Sequence, residues 1–226
     1  MILIRLNLHQ SLRTHSVLFS QHIRSQLVFF AILWLPLPAY SVDESGLRAE
    51  RFIDILSSEA LKLATNTALS SGDRRQEIAK ILNQGFDMPW IARFVLGRNW
   101  RLATPQQREE YLDLFQAIVE HTYSRQFTDY SGQKIKVLGH KIGKRKYIFV
   151  LSKIYDPKQS NINISVNWRL VPDGNSFKIV DVVIEGVSMG VTQRNEYASV
   201  LQRNGNSISA LLKAMRESLA KLEKRG

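Results

Sequence analysis

The sequence of 226 residues contains no cysteine. This absence excludes a disulfide framework, a thiolate nucleophile and any metal site that depends on cysteine ligands. Glycine-rich phosphate-binding loops are also absent, because the twelve glycines are scattered singly along the chain. Acidic residues are absent before Asp43, although the whole chain has 20 of them against 31 basic residues. The sequence therefore contains few residues suited to covalent catalysis, metal binding or nucleotide binding. By contrast, 44% of the residues are hydrophobic, which is enough for a packed core.

The first 41 residues have the organisation of a secretory signal peptide. Three arginines and no acid precede an apolar run at residues 27–35, and Ala39-Tyr40-Ser41 supplies the small-x-small pattern of a cleavage site. The apolar run is shorter than the ~20 residues that span a bilayer, and an uncleaved membrane anchor is the alternative. Cleavage after Ser41 leaves residues 42–226, with 28 basic and 20 acidic residues. We therefore expect an exported protein, which argues against a nucleic-acid partner despite the formal net charge of +11.

Apolar residues recur at helical spacing between residue 43 and about residue 130. We predict one helix through residue 69, a second from Asp73 to Gly85, and a third that starts at Asp87 with Pro89 and stops at Gly97. The capping box at residues 104–107, with proline at the first helical position, starts a long fourth helix. Helical character returns from Ser188 to the C-terminus.

The period of the pattern changes to two after residue 130. Residues 162–169 alternate without a fault, which predicts a strand with one buried and one solvated face. Its neighbours are Ile135/Val137, Tyr147–Tyr155 and Phe177–Ile184, and the polar turns between strands are Gly139–Arg145, Asp156–Asn161 and Pro172–Ser176. Turns this short join adjacent antiparallel strands. We therefore predict an α+β fold, a four-stranded antiparallel meander sheet capped by N-terminal and C-terminal helices.

Catalytic and metal-ligating candidates are few in residues 42–226. Only His121 and His140 are present there, and neither has a carboxylate at ligand spacing. No Ser–His–acid order stands out. Asp181 falls in phase with the buried positions of the last strand, which predicts either a β-bulge or a buried, hydrogen-bonded carboxylate. We expect no enzyme activity and no metal or other cofactor.

The apolar faces are compatible with two kinds of interior. Aromatic and aliphatic residues that point inward from a curved sheet and its covering helices can fill a core, or they can enclose a cavity for an apolar ligand. Periodicity does not distinguish the two.

Two segments resemble a known family. Residues 92–108, ARFVLGRNWRLATPQQR, are similar to the stretch "ARFVLGRYWRxATPxQR" of the toluene-tolerance/MlaC family, and residues 184–189 with residues 193–197 resemble its "EGVSM…QNEW" segment. Gly190 departs from the pattern, where a branched residue is usual, and Asn206-Ser207-Ile208 stands for the more usual "GxDGL". The resemblance runs from about residue 45 to residue 222.

The resemblance implies a monomeric periplasmic phospholipid carrier whose single domain, residues 42–226, holds acyl chains in an apolar pocket. It implies shuttling between an outer-membrane lipoprotein complex and an inner-membrane ABC transporter complex, in support of outer-membrane lipid asymmetry. The pocket would be lined by even-numbered strand positions and closed by helix residues: Ile148, Val150, Ile154, Ile162, Ile164, Val166 and Trp168, with Phe94, Phe115, Ile118 and Tyr123. The candidates for contact with the lipid phosphate or with partners are Arg93, Arg98, Arg101 and Arg194.

Three alternatives remain at this point. The first is a carrier of the same family for hopanoid or another apolar lipid. The second is a small hydrolase on a cone-like α+β fold, with Asp181 or His140 as catalytic base. The third is an interaction adaptor with a solid core, which would bind no lipid.

Overall fold

The computed structural model describes residues 43–126 and 132–224, except for the side chains of residues 71, 125, 126 and 159–162. The predicted signal peptide, residues 1–41, lies outside this part. No helix within the described part combines the length and the apolar character needed to cross a membrane.

Six α-helices form within the described residues, and most begin at a side chain that caps free backbone N–H groups. Their bounds are α1 Glu44–Thr65, α2 Ser71–Gly85, α3 Met88–Leu96, α4 Pro105–Gln126, α5 Met189–Arg203 and α6 Ile208–Glu223. A short 3-10 helix, Gly97–Arg101, joins α3 to the loop before α4.

The start and stop signals predicted for the third helix, and the capping box predicted for the fourth, are present in α3 and α4. The Asp87 carboxylate accepts a hydrogen bond from the Trp90 N–H at 3.0 Å. Gly97 ends α3 with a φ of 59°. In the capping box, the Gln107 N–H donates to the Thr104 hydroxyl at 3.2 Å and the Thr104 N–H donates to the Gln107 side chain at 3.0 Å. Both helix starts are confirmed.

The predicted start of the second helix at Asp73 is wrong by two residues. Ser70 caps α2, and its hydroxyl accepts from the Asp73 N–H at 3.1 Å while donating to the Asp73 carboxylate at 2.7 Å. Asp73 is therefore the third residue of the helix, where a negative charge faces the positive end of the helix dipole.

The strands form one antiparallel sheet in sequential order, as a meander requires. Their bounds are β1 Lys134–Ile142, β2 Ile148–Asp156, β3 Gln159–Asp173, β4 Ser176–Ile184 and β5 Val187–Ser188. The α+β class is as predicted, but the prediction of four strands is wrong, because the described residues form five.

The fifth strand depends on a two-residue turn. Glu185 and Gly186 both have positive φ, 49° and 80°, as in the tight hairpin turns that match the twist of a sheet. The chain reverses there and Val187 pairs with Ile184. The Glu185 N–H also donates to the Ser165 carbonyl of β3 at 3.0 Å. Two residues are too short to show a period, so the sequence pattern did not reveal this strand.

The predicted turn Gly139–Arg145 is also misplaced. The register of β1 shifts between Val137 and Gly139, which leaves Leu138 as a bulge, and the strand then continues to Ile142. The chain reverses at residues 143–147, where the Gly143 N–H donates to the Tyr147 carbonyl at 2.8 Å. His140 therefore lies in a strand, not in a turn.

Two separate apolar clusters hold the layers together. The sheet core joins α1 to the sheet, and the helix core joins α3, α4, α5 and α6. The sheet core consists of Ala49, Ile53, Leu56, Ile148, Val150, Leu170, Phe177 and Ile179. Buried members of the helix core include Val95, Leu96, Tyr111, Phe115, Leu201, Leu211 and Met215. A smaller cluster of Leu63, Ile78 and Leu82 joins α1 to α2. Phe86 packs against all three clusters.

Candidate functional site: an apolar cavity between sheet and helices

A cavity of about 400 Å³ lies between the sheet and the helices. Its volume is in the range of roughly 300–1,000 Å³ that is usual for small-molecule sites. The wall formed by the sheet consists of Ile135, Ile154, Val166, Trp168, Val180, Val182 and Ile184. Apolar residues of α1–α4 include Ile53, Leu56, Ala60, Ile78, Ile81, Leu82, Met88, Ile91, Val95, Phe115, Ile118 and Val119. Residues of all three apolar clusters thus border the same space.

Helix α1 presents one face to this cavity. Ile53, Leu56, Ser57 and Ala60 follow the spacing i, i+3, i+4, i+7 that places residues on one side of a helix. Ser57 and Ala60 are small, so the second half of this face presents little side-chain volume. None of the residues that α1 and α2 contribute to the wall was among the predicted pocket residues, and for α3 the prediction named Phe94 and not Met88, Ile91 or Val95. The helical spacing in α1 was a signal for its wall.

Asp181 is the sole charged residue among the described residues that line the cavity. Its side chain is buried, 5% exposed, and accepts hydrogen bonds from the Ser188 hydroxyl at 2.7 Å and the Gly190 N–H at 3.1 Å. Arg169 Nη1 lies 3.5 Å from the same carboxylate. Buried carboxylates are stable when paired in this way. Asp181 therefore ties the start of α5 to β4.

Both possibilities that the sequence left open at Asp181 occur together. The register between β3 and β4 shifts next to it: Arg169 pairs with Asp181, but Leu170 pairs with Ile179. Val180 is the extra residue of this bulge. The bulge brings the carboxylate to the N-terminal turn of α5.

Gly190 leaves room for this contact. A Cβ at this position would lie 3.2 Å from the Asp181 carboxylate and 3.2 Å from the Phe94 ring. A side chain at residue 190 would therefore require Asp181 or Phe94 to shift by a few tenths of an ångström.

The Trp168 indole in the sheet wall is hydrogen-bonded. The Trp168 indole N–H donates to the Ser152 hydroxyl at 2.9 Å, and that hydroxyl donates to the Val166 carbonyl at 2.8 Å. Buried polar groups of this kind carry no penalty when they are hydrogen-bonded. The wall therefore combines apolar surface with few free polar groups.

Six of the predicted pocket residues lie at the cavity wall. They are Phe115, Ile118, Tyr123, Ile154, Val166 and Trp168. Tyr123 remains 40% exposed, which places it where the cavity meets solvent.

Four of the other five predicted pocket residues are not part of the cavity wall. Ile148 and Val150 share a sheet face with Ile154, but α1 packs directly over them in the sheet core. Ile164 is 37% exposed. Phe94 stacks on Trp90, with ring centroids 5.5 Å apart, on another side of α3. The side chain of Ile162 lies outside the described residues.

None of the four predicted arginines lines this cavity. Arg93 lies over the Trp100 ring at 5.4 Å, and Arg194 lies over the Phe94 ring at 5.4 Å. Arg98 and Arg194 border a separate surface depression of about 220 Å³ between α3 and α5. Arg101 is exposed.

The two candidate catalytic bases do not share a site. His140 Nδ1 lies 2.5 Å from Glu50 Oε1, between β1 and α1, and His140 is not part of the cavity wall. Glu50 is 90 positions away in sequence, so no local spacing of residues pointed to this carboxylate. Asp181 lies on β4, and two strands separate it from β1.

The fold and the cavity define a class of α+β proteins in which helices cover one face of an antiparallel sheet and leave an apolar space beneath them. The family model described as "MlaC protein" matches residues 48–217. The chain belongs to this family.

The relatives that it resembles are distant in sequence. The chain is 23% identical over 199 residues to the intermembrane phospholipid transport system binding protein MlaC of Haemophilus influenzae, covering 84% of this chain and 92% of that protein. It is 24% identical over 143 residues to the toluene tolerance protein ttg2D of Pseudomonas putida, covering 63% of this chain and 66% of that protein.

A solved structure has the same fold. The phospholipid-binding protein of Ralstonia solanacearum, determined in complex with a phospholipid, superimposes with a TM-score of 0.66 at 19% identity. The match covers 77% of this chain and 98% of that one.

Proposed function

We propose that residues 42–226 form a periplasmic phospholipid carrier. Acyl chains lie in the apolar cavity and the head group faces solvent near Tyr123. The observation that carries the proposal is the cavity wall itself, in which Asp181 is the sole charged residue among those described and is already hydrogen-bonded. The predicted signal peptide and the phospholipid named for two of the relatives support it.

The proposal includes the route of the lipid. The protein exchanges phospholipid with an outer-membrane lipoprotein complex and an inner-membrane ABC transporter complex, and so supports outer-membrane lipid asymmetry. It acts as a monomer without catalysis or cofactor. The name of the Haemophilus relative, an intermembrane transport binding protein, supports this route.

The free energy of burying acyl chains makes docking necessary for lipid transfer. Two acyl chains contain about 30 methylenes, and each is worth about 0.8 kcal/mol when removed from water, about 24 kcal/mol in all. Release into water is therefore negligibly slow. A bilayer buries the chains equally well, so exchange between the cavity and a membrane or a partner is nearly neutral in free energy.

Two adjacent serines of α1 provide a matched test. Ser57 lines the cavity, whereas Ser58 is exposed and is not part of the wall. We expect Ser57→Trp to fill the cavity and to reduce the phospholipid that co-purifies with the protein several-fold. Ser58→Trp should leave it unchanged. Native mass spectrometry with lipid extraction measures both, and also separates phospholipid from hopanoid or another apolar lipid.

Thermal unfolding of both variants controls for loss of fold. Equal lipid content in folded Ser57→Trp and Ser58→Trp proteins would contradict the cavity as the binding site. Wild-type protein that carries no lipid at all would favour the solid-core adaptor.

A further inference from the structure

The β1–β2 hairpin concentrates the positive charge of the protein. Between Lys134 and Tyr155 the sequence has seven lysines and arginines and no acidic residue. Residues 42–226 together have an excess of only eight basic residues. The hairpin and its turn thus account for most of the net charge in about a tenth of the chain.

Strand pairing places four of these lysines on one face. Lys134 pairs with Tyr155, Lys136 with Lys153, and Lys141 with Phe149, and directly opposite residues share a face of the sheet. This face points away from α1, which packs against Ile148 and Val150 on the other side. We call it the basic face: Lys134, Lys136, Lys141 and Lys153 with Phe149, Leu151 and Tyr155.

No described residue compensates the charge of the lysines on the basic face. None of the four forms an ion pair or hydrogen bond with a described residue. Lys153 Nζ lies over the Tyr155 ring, 6.0 Å from its centroid. Lys136 and Lys153 lie directly opposite each other, an arrangement of like charges that destabilises a sheet. An anionic partner would remove this repulsion.

Apolar side chains lie among and beside these cations. Leu138, at the bulge of β1, is 56% exposed, and Phe149, Leu151 and Tyr155 of the basic face itself are half-buried. The turn that follows β1 adds Lys144, Arg145 and Lys146, all exposed. Lysine stems lie along apolar surface while their ammonium groups reach outward. Cations mixed with exposed aliphatic and aromatic groups are the combination that binds an anionic bilayer surface.

We propose that the basic face and its turn dock the protein on the surface of anionic phospholipid bilayers. Ile135 of β1 and Ile154 of β2 line the cavity on the opposite face of the same two strands, so docking places the sheet next to the membrane with the cavity on its other side. An acidic protein would satisfy the charges but would leave the exposed Leu138 without an apolar environment, which favours the bilayer. This inference goes beyond the proposed function, because a carrier can exchange lipid through protein partners alone.

The test compares two double variants with equal net charge. Lys136→Glu/Lys153→Glu reverses the basic face, and Lys213→Glu/Lys221→Glu makes the same change on exposed positions of α6. Binding is measured by flotation with vesicles of phosphatidylcholine alone and of equal parts phosphatidylcholine and phosphatidylglycerol, at low and high salt. Each lysine near an anionic surface contributes roughly a five-fold gain in affinity.

We expect wild-type protein to bind the phosphatidylglycerol vesicles at low salt and not the neutral ones. The Lys136→Glu/Lys153→Glu variant should bind about thirty-fold more weakly from the loss of two lysines alone, and the α6 variant much less so. Equal weakening in both variants, or no vesicle binding by wild type, overturns the proposal. Binding of wild type to immobilised poly-glutamate but not to vesicles would assign the face to an acidic protein and would also overturn it.

The lipid content of the variants separates this proposal from the carrier function. We expect Lys136→Glu/Lys153→Glu to retain its co-purifying phospholipid, because neither lysine lines the cavity. A loss of vesicle binding can therefore be distinguished from a loss of bound phospholipid.

Discussion

Tyr111 connects three helices at one buried point. It is 0% exposed, its hydroxyl donates to the Ala92 carbonyl at 2.9 Å, and its ring lies edge-on to Tyr197 at 6.2 Å. Burial, and to a smaller extent the nearby Tyr197, raise the pKa of Tyr111 above its ordinary value of 10.0. Burial likewise raises the pKa of Tyr197. Both phenols thus stay neutral in the folded protein at pH values where they ionise in the unfolded chain.

This difference predicts a loss of stability at alkaline pH. Above about pH 10 the unfolded chain binds fewer protons than the folded one, so the free energy of unfolding falls as pH rises. Tyr111→Phe removes one such group. We expect the variant to be about 1 kcal/mol less stable at neutral pH, from the lost hydrogen bond, but to lose less stability between about pH 9 and pH 11. Urea unfolding across this range measures both effects. Parallel stability curves would show that Tyr111 does not contribute to the alkaline loss.

The turn between β4 and β5 determines where α5 begins. Glu185 and Gly186 reverse the chain, and Ser188 then serves both as a residue of β5 and as the N-cap of α5, where its hydroxyl accepts from the Val191 N–H at 3.1 Å. The Glu185 side chain also accepts from the Ser165 N–H of β3. One turn therefore sets the position of the helix that brings Met189, Gly190 and Gln193 to the cavity.

Replacement of Gly186 tests this turn. A β-branched side chain is strained at a φ of 80°, whereas asparagine adopts positive φ more readily. We expect Gly186→Val to cost about 1–3 kcal/mol of stability, and Gly186→Asn to cost clearly less. Urea unfolding at neutral pH measures the pair. If the two variants proved equally stable, the conformation of residue 186 would not limit the fold.

At the scale of these elements, the sequence was informative where a local rule decides the structure. The capping box at Thr104 and the N-cap at Asp87 each depend on neighbours within three residues, so residue type and spacing sufficed to predict them. The fifth strand did not follow from the sequence, because two residues have no period and their pairing depends on a turn. The carboxylate beside His140 belongs to another element, so no local pattern could reveal it.

At the scale of the molecule, the cavity is the feature that could not be predicted from the sequence. Val150 and Ile154 lie on the same strand and the same face, and period two predicts both to point inward. Val150 is buried under α1, whereas Ile154 borders open space. The difference lies in the helix opposite, where Ile53 is followed by the small Ser57 and Ala60. Whether an inward face meets a side chain or a void depends on how the layers are spaced, and periodicity contains no information on that.

The division of the apolar interior into two cores has a consequence for cooperativity. Of the described residues that pack against these cores, Phe86 alone packs against both the sheet core and the helix core, and residues of both cores border the cavity. Because contiguous apolar packing makes regions open together, hydrocarbon in this space should couple the opening of the two cores.

Native-state hydrogen exchange measures the opening free energies of the two cores. We expect delipidated protein to show different opening free energies for Ile148–Asp156 and Pro105–Gln126, and the lipid-loaded protein to show one common value. Identical profiles in both states would mean that cargo does not bridge the cores. For the proposed carrier this would mean that bound lipid acts as a structural part, and that its release would leave a less cooperative protein.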